Sequence, residues 1–163
     1  MKQKKMKIKK IGFFISKDCP PEILYEFLRF CINFRNLDNI EIIGGFQGKM
    51  EQDILDILRN RKLKIGIFLP RTLYKKIPLK VKEDVLLGKI EYYSIFNSED
   101  ITKKTCYLRN RAIVEMCDEF IIPYYKSNSM TEETVMYIKE MNKKIYDMRN
   151  ISELLGDKNG QTT

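Results

Sequence analysis

The stretch Arg109–Glu133, RNRAIVEMCDEFIIPYYKSNSMTEE, decides how the rest of the chain is read. It runs helix, strand, loop and the start of a second helix. Arg109 and Arg111 flank Asn110 where a short helix begins, and Val114 and Met116 give that helix apolar material to bury. Asp118 and Glu119 end it. Phe120, Ile121 and Ile122 then form a short apolar run of the kind that becomes a buried strand. Past the strand, Ser127, Asn128 and Ser129 make a small polar loop, and Ser129 followed by Glu132 is a capping box for the next helix. A strand end, a small-residue loop and a helix N-terminus form an anion site, because backbone N–H groups without helical partners point outward there. Two arginines just upstream could close over a phosphate in bidentate fashion. The plainer alternative is that both are surface groups paired with Glu115 or Asp118.

Upstream the alternation repeats. Lys7–Ser16 ends in Ile11, Phe13, Phe14 and Ile15, a buried first strand. Pro20 and Pro21 suit a first helical turn, where a missing N–H costs nothing. Ile23, Leu24, Phe27, Leu28 and Cys31 then recur at helical spacing. Ile40–Ile43 is a second strand that runs into Gly44-Gly45-Phe46-Gln47-Gly48 and on into a helix with Ile54, Leu55, Ile57 and Leu58 inward. A strand ending in Gly-Gly-x-x-Gly and opening a helix lets backbone approach a phosphate, although glycines also serve plain tight turns.

Lys64–Leu69 is a third strand halted by Pro70. Lys75, Lys76, Lys80 and Lys82 surround Pro78 in a loop that carries one helix near Val81–Leu87. Lys89–Phe96 alternates as a fourth strand, and the polar Asn97–Thr105 reads as a loop. Downstream, Glu132–Asn142 is a helix with Val135, Ile138 and Met141 inward, and Ile145–Met148 is a last strand. Strands alternating with helices, without hairpin signals, mean an α/β fold with a mainly parallel sheet of about six strands covered on both faces. Ligands in such sheets bind beyond the carboxyl ends of the strands. The loops after the second and fifth strands both sit on that edge.

Size and composition set the outer limits. A chain of 163 residues is read as one domain over residues 7–155, with a basic tail over 1–6 and a disordered tail over 156–163. No apolar run approaches the roughly 20 residues of a membrane span, so a cytoplasmic protein with no membrane partner is expected. Cys19, Cys31, Cys106 and Cys117 lack paired short spacing, so no metal site is expected, and Cys31 and Cys117 lie on apolar helix faces. Histidine is absent, which excludes Ser-His and Cys-His catalysis. A net charge of +8 favours anionic partners, though six of the lysines fall within the first ten residues, where they equally make a solubilising end.

The order of these pieces over about residues 7–150 resembles the Rossmann-like superfamily of the DNA-processing protein A (Smf) and Lonely Guy (LOG) families. Leu108-Arg109-Asn110-Arg111-Ala112-Ile113 looks like the P-R-R-N-R-x-I segment of the Smf family. The resemblance implies a Rossmann-like three-layer sandwich in which Arg109, Asn110 and Arg111 line an anion pocket. Lys126, Ser127, Asn128 and Ser129 match its K-S-G-S loop, and Gly44, Gly45 and Gly48 match the glycine loop of either family. Where Smf proteins have G-S-R after the first strand this chain has Ile15-Ser16-Lys17, with Lys17 as the substitute cation. Gly44–Met50 is closer to the LOG G-G-x-x-G-L-M, and Ser129–Glu133 can be laid on the LOG G-T-x-E-E with Glu132 or Glu133 as the hydrolytic carboxylate. The P-G-G-x-G that precedes it in LOG enzymes is missing.

The leading expectation is a nucleic-acid-binding protein of the Smf type, binding single-stranded DNA in DNA processing or recombination and, by resemblance, serving a RecA-type recombinase. Tyr92, Tyr93, Tyr124 and Tyr125 could add stacking surfaces, although tyrosines at strand ends more often pack. The alternatives are a LOG-like hydrolase of nucleoside monophosphates and a non-catalytic domain that senses a nucleotide in the same pocket. Glutamates at a helix N-terminus are favoured by the dipole alone, which ranks binding above catalysis. No cofactor is expected. Flat apolar helix faces in such folds often make homodimers, and no residue of this chain decides that point.

Overall fold

Along the first strand, side chains alternate between two cores, and that alternation builds the molecule. The computed structural model describes residues 8–32, 39–46, 48–60, 63–70, 78–94 and 102–155. The chain runs β1 Lys9–Phe13, α1 Pro21–Ile32, β2 Ile40–Gly44, α2 Lys49–Asn60, β3 Lys64–Leu69 and α3 Leu79–Leu86. It continues β4 Ile90–Ser94, α4 Lys103–Met116, β5 Glu119–Ile121, α5 Met130–Glu140, β6 Lys144–Tyr146 and α6 Ile151–Leu155. The six strands are parallel and lie in the order β4-β3-β2-β1-β5-β6. This is the expected α/β sandwich.

Ile11, Phe13 and Ile15 join Ile42, Ile65, Ile67 and Leu69 under Phe27 of α1, Leu55 and Leu58 of α2, and Val81 of α3. Phe14, Ile43, Phe68 and Phe120 face the other way, against Ile113 and Val114 of α4 and Val135 and Ile138 of α5. Gly12 lies beneath the second layer, and a Cβ there would come within 2.5 Å of the Phe120 ring. Each fully buried Ile, Leu or Phe contributes about 1.5–3 kcal/mol, so two such layers supply most of the driving force.

Several boundaries differ from the sequence reading. The helix expected to begin at Arg109 begins six residues earlier, at Lys103, inside the segment read as loop. Thr102 caps it: its hydroxyl accepts from Thr105 N at 3.1 Å, and Thr105 Oγ1 accepts from Thr102 N at 2.8 Å. Two threonine hydroxyls do what the familiar Ser/Thr-x-x-Glu box does, so a search for an acidic residue passes over them. The longer helix buries Asn110, Ile113 and Val114, and Met116 is only partly covered. Helix α5 starts directly after the expected cap, and Met141, expected inside, is 37% exposed beyond its end. The short α6 has no counterpart in the sequence reading. The expected basic tail, Gln47, Lys75, Lys76, Phe96 and the tail after Leu155 lie outside the described residues.

One polar group is buried at the opposite end of the sheet from the expected site. Glu41 of β2 is 2% exposed. Tyr93 of β4 crosses β3 to donate its hydroxyl to Glu41 Oε2 at 2.7 Å, and Lys64 Nζ stands 3.7 Å from Oε1. The crossing is possible because Gly66 lies between them, where a Cβ would meet the Tyr93 ring at 2.9 Å and Glu41 Oε2 at 3.0 Å. Tyr93 therefore packs on Phe68, with ring centroids 5.7 Å apart, instead of offering a stacking surface. Burial first, and then the hydrogen bond and charge of Glu41, push the Tyr93 hydroxyl above the ordinary tyrosine range.

Tyr93→Phe should lower stability by about 1–3 kcal/mol, because a buried carboxylate loses its donor; urea midpoints measure this. A phenol whose folded pKa is raised contributes fully below its unfolded pKa of about 10 and loses that contribution as pH rises toward the folded value. Above about pH 10 the native protein should accordingly lose more stability per pH unit than Tyr93→Phe does.

Candidate functional site

The crossovers on either side of β1 set the position of the site. Helices α1 and α2 cover one face of the sheet and α4 and α5 the other, so the winding reverses between β1 and β5. A crevice opens beyond the carboxyl ends of strands at such a reversal. Here it is a cleft of about 690 Å³ lined by the segment after β1 (Ile15–Asp18), the start of α2 (Gly48–Glu51, Asp53), Arg109 of α4, Lys126, and the start of α5 (Ser129–Thr131).

Hydrogen bonds hold the two loops at the reversal together. Ser16, 5% exposed, donates its N–H to Tyr124 O at 3.1 Å, and its hydroxyl accepts from Lys126 N at 2.9 Å. Lys126 Nζ stands 3.5 Å from Asp18, a pair more than half exposed on both sides and worth under about 1 kcal/mol. Ser129 caps α5 by accepting from Glu132 N at 3.1 Å while its hydroxyl donates to Lys126 O. Glu132 reaches back to accept from Asn128 N at 3.1 Å, one residue before the expected partner. Asn128, at φ 60°, takes the left-handed turn that makes this possible.

The glycine run shows a division of labour. Phe46 has φ 48°, an unusual value for an aromatic residue that costs about 1–3 kcal/mol. Its ring is 3% exposed and stacks on Phe13 at 5.8 Å, which sustains the turn. Gly44 leaves room for that ring, 3.0 Å from where a Cβ would be. At Gly45 a Cβ would run into the Arg109 guanidinium, 3.0 Å from Cζ. Gly48 faces open space at the start of α2.

The Arg109-Asn110-Arg111 element splits three ways. The Arg109 guanidinium lies over Gly45, with Nη1 donating to Phe68 O at 3.4 Å and Nε to Asn110 Oδ1 at 2.7 Å. Asn110 is buried behind it and does not line the cleft. Arg111 is turned to the outer surface, its Cζ 4.0 Å from the Tyr137 ring centroid and 5.4 Å from that of Tyr107, whose hydroxyl accepts from it. The bidentate clamp of two arginines is therefore not formed, because residues two apart on a helix face different ways.

Of the residues singled out in the sequence, Lys17, Gly48, Arg109, Lys126 and Ser129 line the cleft. Gly44, Gly45 and Asn110 support it from behind, and Arg111, Ser127, Asn128, Glu132 and Glu133 do not line it. Sequence reasoning passed over Lys49, although it directly follows the glycine run, and Asp18, Glu51 and Asp53, which temper the positive charge of the lining. Two helices longer than eight residues, α2 and α5, aim their N-termini at the cleft and favour negative charge there.

Two solved structures share this architecture. DNA processing protein A (DprA) from Streptococcus pneumoniae matches with a TM-score of 0.68 over 86% of this chain and 50% of its own, at 15% identity. The structure of DprA from Helicobacter pylori, described for its single-stranded DNA binding mode, matches with a TM-score of 0.65 over 86% of this chain and 65% of its own, at 14% identity. The chain has a DprA-like Rossmann-type fold. It spans 50% of the length of the first DprA and 65% of the second. No family model and no curated protein sequence matches it. Among the described residues, no helix is long and apolar enough to cross a membrane.

The glycine geometry gives a direct check on the cleft. Gly45→Ala should displace the Arg109 guanidinium and shift its Nε–H resonance in a nitrogen-edited NMR spectrum. Gly48→Ala meets nothing within 4 Å and should leave that resonance in place.

Proposed function

We propose that the chain binds single-stranded DNA through the cleft at the β1/β5 reversal. The observation that carries this reading is Arg109, held over Gly45 at a cleft that also presents Lys17, Lys49 and Lys126 beside two helix N-termini. Backbone N–H groups, lysines and a guanidinium are the donors that phosphates take, and they act without regard to base sequence. The net charge of +8 supports a polymeric anion. The DprA-like fold adds weight, since one of the two similar proteins is described with a single-stranded DNA binding mode. A RecA-type recombinase and a second copy of the chain are the protein partners that this reading carries with it.

The hydrolase alternative draws less support. Its carboxylate would be Glu132 or Glu133, yet Glu132 is engaged with Asn128 N at 3.1 Å and neither lines the cleft. The cleft volume of about 690 Å³ would also admit a mononucleotide, which makes that ligand the comparison of choice.

Titration of a labelled oligothymidylate at several salt concentrations tests the proposal. Engagement of three or four phosphates should give a log–log slope of about −2 to −3. Arg109→Ala should weaken binding about 10- to 100-fold, the equivalent of a charge-assisted hydrogen bond, while Arg111→Ala changes it by less than about threefold. Tighter binding of a mononucleotide than of the oligonucleotide, or a flat salt response, would refute it.

A further inference from the structure

Asn110 is a polar side chain, 6% exposed, in the interior of α4. A buried amide has to satisfy an acceptor oxygen and a donor nitrogen, so each end should find a partner. Oδ1 accepts from Arg109 Nε at 2.7 Å, and Nδ2 donates to Thr134 Oγ1 at 3.2 Å. Thr134, 4% exposed on α5, donates in turn to Met130 O at 3.0 Å.

Direction matters in this chain. A hydroxyl carries one hydrogen, and Thr134 gives it to Met130 O. Toward Asn110 it can then only accept. That fixes the amide with Nδ2 facing α5 and Oδ1 facing Arg109. The reversed amide would set an NH2 group against the Arg109 Nε–H, donor against donor, and Nε would lose its acceptor. The series thus runs from the first residue of α5, which lines the cleft, to the guanidinium over Gly45.

We propose that Asn110 and Thr134 are positioning residues: they pre-set the Arg109 guanidinium for an anionic ligand and tie its orientation to the first turn of α5. This rests on the reading of the cleft as a phosphate site. An arginine side chain has many rotamers, and one ordered before the ligand arrives does not have to be ordered by it. Asn110, expected from the sequence to touch the ligand, acts through Arg109 instead.

The test compares Thr134→Val with Thr134→Ser in oligothymidylate binding, with melting temperatures measured in parallel. Valine keeps the shape of threonine and removes the hydroxyl; serine keeps the hydroxyl and removes a methyl group. The relay predicts that Thr134→Val and Asn110→Ala each weaken binding about three- to tenfold, the equivalent of one net hydrogen bond, while Thr134→Ser binds as the native protein does. A packing role would reverse that order. In an Arg109→Ala background, Thr134→Val and Asn110→Ala should add less than about twofold, because their effect passes through the missing guanidinium. If Arg109→Ala weakens binding but Thr134→Val binds normally, or if the losses simply add, the positioning role is overturned and the cleft reading stands. If Arg109→Ala binds normally, both fall.

Discussion

Strand β1 has to be buried on both faces and paired on both edges, and the remaining architecture follows from meeting those demands. Ile11 and Phe13 enter one core and Phe14 the other, while β2 and β5 take the two edges. A right-handed crossover that leaves β1 toward β2 and a later one that arrives on its other side must cover opposite faces of the sheet. The reversal leaves an opening at the carboxyl end of β1 that none of the described helices fills. The cleft is therefore a consequence of how the chain covers its central strand.

What lines that opening is held by short hydrogen bonds more than by ion pairs. Ser16 links the loops after β1 and β5, Ser129 and Glu132 close the start of α5, and Asn110 with Thr134 orients Arg109. Short bonds between adjacent or buried groups are screened much less by salt than exposed contacts between lysines and phosphates would be. A site built this way keeps its shape at ionic strengths that would weaken a lysine–phosphate contact. The strained turn at Phe46 fits the same pattern, since a buried ring stacked on Phe13 sustains a backbone conformation that brings Gly45 under the arginine.

The parts of the site that a linear reading reached are those whose chemistry is local. The Ser129 cap, the glycine run and the strand ends depend on neighbours within four residues, and they appear where their spacing puts them. The parts it misjudged depend on partners far along the chain. Arg109 and Arg111 look equivalent in sequence, yet one meets Gly45 and Phe68 O while the other stacks on Tyr137. Tyr93 packs, as strand-end tyrosines usually do, but that its hydroxyl goes to a glutamate two strands away is visible only in the assembled sheet.

By itself the sequence determined the α/β class, the strands that form the sheet and the edge on which the loops gather, because hydrophobic periodicity and strand–helix alternation are written in adjacent residues. It also determined that any chemistry here proceeds without histidine. Only the tertiary structure decided which arginine faces the cleft, that Asn110 stands behind it, and that Glu132 is spent on Asn128 N. Those outcomes turn on the direction in which a helical side chain leaves its axis and on what another element presents to it. Contacts between α4 and α5, or between β2 and α4, exist only once the sheet has brought them together.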